Sequence, residues 1–178
     1  MHGLDISSPN YLYANYYQPT DYRVLDEVFE RLTVPYEEYT FTDYGSGKGL
    51  VLLRAAAYPF KKVIGVEFAR ELHEIAQQNL RRFPAELVRT EVELVYGDAF
   101  EFTPPEGNLV LYFFESFEAP LTRKLIARIE QLSRGRNVMV VCAWAKNPAI
   151  RTESIWNAQA FLEKVHAGDG WAIYRAAD

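Results

Sequence analysis

A glycine-rich loop that begins with an acid is the part of the sequence best suited to chemistry. Its residues are, in order, Asp43, Tyr44, Gly45, Ser46, Gly47, Lys48 and Gly49. Glycine has no Cβ, so the backbone can turn sharply and approach a ligand closely, and N–H groups at the start of the following helix are expected to face that ligand. Two known glycine loops do not fit. A P-loop requires Ser or Thr directly after its Gly-Lys pair, where Gly49 stands, and the dinucleotide fingerprint requires a small residue in place of Leu50.

Two further acids follow strand-like segments later in the chain. Glu67 lies 22 residues after Gly45, a spacing at which a carboxylate can accept hydrogen bonds from ribose hydroxyls. Phe68, beside it, could lie against an adenine ring, and Asp98 could accept a hydrogen bond from an exocyclic amine. Alone, each acid is better explained as the cap of the next helix. Because the carboxyl ends of parallel strands meet at one edge of a sheet, the three acids together predict a ligand site.

Alternating strand and helix patterns predict how these residues are positioned. Strand patterns with parallel-sheet character cover 39–44, 62–67, 92–96, 109–114 and 137–144, and the fourth is apolar at every position. Helical periodicity covers 21–32 (with Thr20 as N-cap), about 50–58, 69–82 and 121–133. The chain ends differently, since Asp169-Gly170 predicts a hairpin between strands 161–166 and 171–175. These patterns predict one α/β domain over 1–178 with seven strands, and a doubly wound NAD-binding domain has no reason to end in such a hairpin.

Composition excludes several classes of protein. The net charge of −5 disfavours a nucleic-acid partner, and no apolar run is long enough to cross a membrane. The first ten residues do not resemble a signal peptide, so we expect a cytoplasmic protein. A single cysteine, Cys142, and three scattered histidines predict neither a disulfide framework nor a metal site.

These motifs resemble those of the class I S-adenosylmethionine-dependent methyltransferases over essentially the whole chain. The acidic glycine loop, the acid that ends the second strand and Gly97-Asp98-Ala99 match that family in order and spacing. The sequence is most similar to small bacterial methyltransferase-like proteins that share Tyr-x-x-Pro-Thr (residues 16–20), the Gly-Ser-Gly-Lys-Gly loop and Gly-Val-Glu-Phe (residues 65–68). The loop also resembles that of the non-SET lysine methyltransferases.

The resemblance implies a Rossmann-like mixed sheet of order 3-2-1-4-5-7-6, with the last strand antiparallel, and S-adenosyl-L-methionine as cofactor. It implies that Asp43 and the loop hold the methionine part, Glu67 the ribose, and Asp98 with the Ala99 amide the adenine. Phe114, at the end of the fourth strand, completes the implied cofactor site. The implied reaction is methyl transfer to a small-molecule or protein nucleophile that the sequence does not identify.

Two segments are expected to supply the acceptor side of the site. The similar small proteins have Asn-Pro-Phe after the fourth strand, where this chain has Glu115-Ser116-Phe117. Glu115 is therefore a candidate general base or amine anchor, or equally an exposed acid near a helix start. The aromatic segment and helix of residues 1–33 could form a lid, with Tyr17 and Thr20 as the best candidates to touch the cofactor.

Three other functions remain open on the sequence alone. The altered residues at 115–116 are compatible with a protein that binds S-adenosylmethionine without catalysis. A nicotinamide-dependent oxidoreductase is disfavoured by Leu50 and by the terminal hairpin. An aminopropyltransferase is disfavoured because no second acidic pair surrounds the fourth strand.

Overall fold

The computed structural model describes residues 19–114, 117–144 and 152–177, and these form an α/β fold around one seven-stranded sheet. The helices lie on both faces of this sheet. The strands are β1 (Tyr39–Tyr44), β2 (Lys62–Glu67), β3 (Val92–Tyr96), β4 (Asn108–Phe114), β5 (Val138–Ala143), β6 (Leu162–Gly168) and β7 (Trp171–Ala176). The helices are α1 (Tyr22–Arg31), α2 (Leu50–Ala55), α3 (Arg70–Arg82), α4 (Ala119–Ser133) and α5 (Glu153–Asn157).

The strand order confirms the predicted topology. It is β3-β2-β1-β4-β5-β7-β6, with β1 to β5 parallel to their neighbours and β7 antiparallel to both β5 and β6. Strands β2 and β3 follow one another on one side of β1, and β4 then lies on the other side of β1, so the strand order reverses there. A crevice forms at such a switch point, at the carboxyl edge of the sheet.

The central strands are buried because both of their faces are covered. Every residue of β1 and of β5 is buried, as expected for parallel strands between helical layers. One core contains Phe41, Val110 and Tyr112 with side chains of α1 and α2. The core on the opposite face contains Leu111 and Phe113 with side chains of α4 and α5.

The start of α1 corrects one sequence prediction. The N-cap is Asp21 rather than Thr20, and its carboxylate accepts a hydrogen bond of 3.0 Å from the backbone N–H of Arg23. Both residue types suit this position. Thr20 is instead buried against the sheet, so its hydroxyl takes part in the site described below.

The terminal hairpin is confirmed and is closely packed. Gly170 adopts a left-handed φ of 81° in the turn, a conformation that glycine adopts without steric cost. Trp171 begins β7, and its indole N–H donates a hydrogen bond of 2.8 Å to Glu27 on α1. Among the described residues, no helix is long and apolar enough to span a bilayer, and no group of histidine, cysteine and acidic side chains could hold a metal ion.

Candidate functional site

Asp43 and Glu67 lie on the same face of the sheet at its carboxyl edge. In the parallel register Asp43 is opposite Gly65 of β2 on one side and Tyr112 of β4 on the other. Glu67 follows Gly65 by two residues, so its side chain leaves the sheet on the same face. The sheet thus brings together two acids that the sequence predicted to share a site.

The glycine loop turns sharply, as predicted, but its N–H groups are not free for a ligand. Gly45, Gly47 and Gly49 have left-handed φ values of 84°, 54° and 83°. The N–H groups of Gly45 and Ser46 both donate to the carbonyl of Val66, and that of Gly49 donates to the carbonyl of Ser46. The N–H of Gly47 donates to the Glu67 carboxylate. At least four of the five amides of the loop are therefore bonded within the protein.

Close packing around the loop explains why glycine stands at two positions, 65 in β2 and 49 in the loop. A Cβ on Gly65 would lie 2.3 Å from Cδ1 of Leu52 and 2.9 Å from Oγ of Ser46, so strand β2 leaves room there for α2 and the loop. A Cβ on Gly49 would lie 3.2 Å from Cβ of Ala76 on α3. The loop is thus held between β2 and two helices before any ligand arrives.

Glu67 joins the glycine loop to the end of β2. Its Oε2 accepts a hydrogen bond of 2.8 Å from the N–H of Gly47, and its Oε1 accepts one of 2.8 Å from the N–H of Ala69. The residue is only 4% exposed. Burial raises the pKa of the Glu67 carboxyl, and hydrogen bonds from the backbone N–H groups of Ala69, Gly47 and Phe68 oppose that rise. The predicted ribose acid is therefore also part of the framework of the site.

Asp43 is a buried carboxylate whose charge is poorly compensated. It is 3% exposed, and no hydrogen bond reaches its carboxylate from the described residues. Burial raises the pKa of Asp43 well above its ordinary value, and the nearby charge of Glu67 raises it further. A cationic group placed beside these two acids would relieve both effects.

Tyr112 is a site residue that the sequence analysis missed. Its hydroxyl shares a hydrogen bond of 3.1 Å with Oγ1 of Thr20, and both residues are buried. Burial raises the pKa of Tyr112, and the charge of Asp43 adds to that rise. The only signal in the sequence is a tyrosine in an otherwise apolar strand segment. The contact brings Thr20 to the sheet beside Asp43.

The segment after β3 carries the two residues predicted to hold adenine. Asp98 is half-buried, and its Oδ1 accepts a hydrogen bond of 2.8 Å from the N–H of Phe100. Ala99 is buried in the core on the α4 face of the sheet. Phe68, at the end of the neighbouring strand β2, is half-buried. Strands β2 and β3 are paired up to Glu67 and Tyr96, so these residues follow neighbouring strand ends.

The remaining predicted residues differ in their placement. The Tyr44 side chain packs on the α4 face of the sheet, stacked on Phe113 with ring centroids 5.1 Å apart. Only its backbone can therefore contribute to a site on the Asp43 face. Phe114 is half-buried at the end of β4. Tyr17 and Glu115 lie outside the described residues.

The charges and hydrogen bonds of these residues indicate which kind of ligand would fit. Two buried acids with raised pKa values disfavour further negative charge, and a loop whose amides are bonded internally offers little to a phosphate group. The same carboxylates can accept hydrogen bonds from hydroxyl or ammonium groups. The site therefore suits a polar ligand with a positive charge and without a pyrophosphate.

One family model matches part of the sequence. It is described as histone methylation protein DOT1, and it matches residues 10–92, less than half of the 178 residues. The match includes β1, the glycine loop, Glu67 and the first residue of β3. No curated protein sequence matches the chain.

Several solved structures share the fold. An RNA methyltransferase from Salinibacter ruber, solved in complex with S-adenosyl-L-homocysteine, is 23% identical, with 89% of this chain and 92% of that chain covered and a TM-score of 0.57. A precorrin 8w decarboxylase from Methanobacterium thermoautotrophicum is 19% identical (90% and 92% covered, TM-score 0.57). An aminoriboflavin dimethyltransferase from Streptomyces davawensis is 21% identical (88% and 54% covered, TM-score 0.56). At these identities the similarity establishes the fold, which by itself does not determine the reaction.

Proposed function

We propose that the protein binds S-adenosyl-L-methionine and transfers its methyl group to a small-molecule or protein nucleophile. The observation that carries the proposal is the pair of buried acids, Asp43 and Glu67, beside a glycine loop with internally bonded amides. S-adenosylmethionine has an ammonium group, a sulfonium group and ribose hydroxyls but no phosphate, so its chemistry matches these acids. The partial match to a histone methylation family and the methyltransferases among the fold relatives support the same function.

Each part of the site has a role in this proposal. Asp43 accepts hydrogen bonds from the ammonium group of the methionine part, and the loop backbone lies against that part. Glu67 accepts hydrogen bonds from the ribose hydroxyls through lone pairs that Gly47 and Ala69 do not use. Phe68 packs on the adenine ring, while Asp98 and the Ala99 amide bond its edge. Thr20, held by Tyr112, and Tyr17 close the site from the N-terminal side.

The cofactor supplies an activated methyl group whose bond to sulfur breaks as its bond to the nucleophile forms, with the electron pair left on sulfur. The protein then contributes position and exclusion of water. Glu115, four residues before the N-terminal end of α4 at Ala119, is our candidate to remove a proton from the nucleophile or to hold a cationic amine. We also propose that the protein is related to the small bacterial methyltransferase-like proteins. This part of the proposal rests on the glycine loop and on residues 16–20 and 65–68.

Calorimetric titration with S-adenosylmethionine, S-adenosylhomocysteine and NAD tests the cofactor. We expect micromolar binding of both sulfur nucleosides and none of NAD. The Asp43→Asn variant keeps the shape of the side chain but loses its charge, so it should bind S-adenosylmethionine at least tenfold more weakly, the equivalent of about 1.4 kcal/mol. Binding of NAD with no response to either sulfur nucleoside would refute the proposal.

A second experiment tests catalysis. A screen with methyl-labelled donor against amines, catechols and proteins should reveal an acceptor. Glu115→Gln should then retain cofactor binding but lose roughly 10²–10⁴ in turnover, the usual contribution of a positioned acid–base group. Firm cofactor binding without transfer to any acceptor would instead favour a protein that binds S-adenosylmethionine without catalysis.

A further inference from the structure

Arg128 on α4 holds the segment that connects β3 to β4. Residues 97–107 form neither helix nor strand, so any of their carbonyl groups that are removed from water need hydrogen-bond partners outside regular secondary structure. The half-buried guanidinium of Arg128 donates through Nη1 to the carbonyl of Phe100 and through Nη2 to the carbonyl of Phe102. A guanidinium presents its donors in a rigid planar fork, so the two carbonyls are fixed relative to each other.

The segment bound by Arg128 also holds Asp98, through Phe100, Glu101 and Phe102. The N–H of Phe100 donates to Oδ1 of Asp98 at 2.8 Å. The N–H groups of Glu101 and Phe102 both donate to the backbone carbonyl of Asp98, each at 3.1 Å. The N–H of Glu101 belongs to the same peptide unit as the Phe100 carbonyl, so this unit links Arg128 directly to the backbone of Asp98. Phe100, at the start of that unit, donates its own N–H to the Asp98 carboxylate.

The aromatic rings of the segment do not fix Asp98 in the same way. Phe100 packs edge-on against Phe117 with ring centroids 5.1 Å apart, and Phe102 packs against Tyr44 at 6.2 Å. These contacts bury the rings but are not directional enough to orient the peptide groups between them. Arg128 sets the direction of the Phe100 carbonyl, and with it that of the Glu101 N–H in the same peptide unit.

The chain offers a matched control in Arg136. This arginine, which follows α4, is also half-buried and also donates to the carbonyl of a residue in the same segment, Pro105, at 3.0 Å. Pro105 lies seven residues beyond Asp98, and Arg136 makes no hydrogen bond to Phe100 or Phe102. Loss of Arg136 should therefore loosen the segment without disturbing Asp98.

We infer that Arg128 is a positioning residue that makes the site selective for adenine over hypoxanthine, an inference that rests on the proposed function. Adenine presents an exocyclic amine that donates to the Asp98 carboxylate. Hypoxanthine presents a carbonyl oxygen at that position and a proton on the adjacent ring nitrogen, so it fits neither the carboxylate nor the Ala99 N–H. Selection by hydrogen bonding of this kind requires the carboxylate to be held in one orientation.

The test compares calorimetric binding of S-adenosylhomocysteine and S-inosylhomocysteine to the full-length protein. The parent should prefer the adenine nucleoside by roughly tenfold to a hundredfold, the range of one hydrogen bond to a charged group. In Arg128→Met this preference should fall by about tenfold, and in Arg128→Lys, which keeps the charge but not the fork, it should fall less. Arg136→Met should keep the preference of the parent. A merely structural role for Arg128 would weaken both ligands equally and leave the preference unchanged.

Hydrogen exchange of the ligand-free proteins provides a second measurement. The amides of Phe100 and Phe102 should exchange faster in Arg128→Met than in the parent or in Arg136→Met. The inference about Arg128 is overturned if a folded Arg128 variant keeps the preference for the adenine nucleoside, or if Arg136→Met loses as much of that preference. In either case the proposed function still stands. If the parent binds neither nucleoside, the proposed function fails and the inference with it, so the two failures are distinguishable.

Discussion

The replacement Glu67→Gln tests whether the acid at the end of β2 stabilises the ligand-free fold. Each of its two oxygens accepts a backbone hydrogen bond of 2.8 Å, from Gly47 and from Ala69. Glutamine has one carbonyl oxygen, and its NH₂ group can only donate, so one of the two amides loses its acceptor. A hydrogen bond to a charged group contributes about 1.5–3 kcal/mol. Removal of a buried charge, whose cost is evident in the raised pKa of Glu67, offsets part of that loss.

We therefore expect Glu67→Gln to lower the free energy of unfolding by about 1–2 kcal/mol. For a chain of this length that corresponds to a Tm lower by roughly 2–8 °C. Thermal and urea unfolding at neutral pH measure this loss, and hydrogen exchange at Gly47 and Ala69 locates it. Glu86→Gln changes the net charge by the same amount at an exposed position and should leave the Tm unchanged.

An unchanged Tm in Glu67→Gln, with both amides still protected, would refute this reasoning. It would mean that the two backbone hydrogen bonds contribute no net stability and that Glu67 serves the ligand alone. A loss of stability together with a loss of S-adenosylhomocysteine binding would instead assign both roles to one carboxylate.

Three further variants test other parts of the site. Burial raises the pKa of the Asp43 carboxyl. The stability of the parent should therefore fall as the pH rises from the pKa of this carboxyl in the unfolded chain through its pKa in the folded protein. Asp43→Asn removes the carboxyl. The variant should lack that fall in urea unfolding curves and equal or exceed the stability of the parent at pH 7, and a less stable variant would contradict this. Gly65→Ala places a methyl carbon 2.3 Å from Leu52 and should cost about 1–3 kcal/mol. Gly97→Ala, with no atom within 4 Å of the added carbon, is its control, and equal unfolding midpoints would refute the packing argument. Tyr112→Phe removes one buried hydrogen bond, so it should lower stability by about 0.5–1.5 kcal/mol and weaken S-adenosylmethionine binding. Unchanged affinity in the titration would separate Tyr112 from the site.

The sequence predicted most of the fold because strand-like and helical patterns alternate along it. Strand-like segments placed β1, β2 and β3 at their observed limits and located the other four strands to within two residues at either end. Helix starts were less certain, since two adjacent residues, Thr20 and Asp21, both suit an N-cap. In the structure Asp21 caps the helix, and the hydroxyl of Thr20 is hydrogen-bonded to that of Tyr112 instead.

The candidate site was predicted less completely. Spacing alone identified Asp43, Glu67 and Asp98 as a group, because strand ends converge in a parallel sheet. Spacing could not show that the loop amides are bonded to Val66 and Glu67, since those bonds depend on how far the loop folds back over β2. Side chains alternate between the two faces along β1, so Tyr44 points to the α4 face while Asp43 points to the opposite one. The sequence prediction grouped Tyr44 with the glycine loop and did not apply this alternation.

The internal hydrogen bonds of the glycine loop have a consequence for competition among metabolites. Adenosine is common to ATP, NAD and many other abundant compounds, so a site that recognised only adenine and ribose would be occupied by them. Here the phosphates of such compounds would meet a loop with four of its amides already bonded, next to two buried acids. Rejection of these competitors therefore requires no bulky side chain as a barrier, and the loop can remain open to the ligand that carries no phosphate.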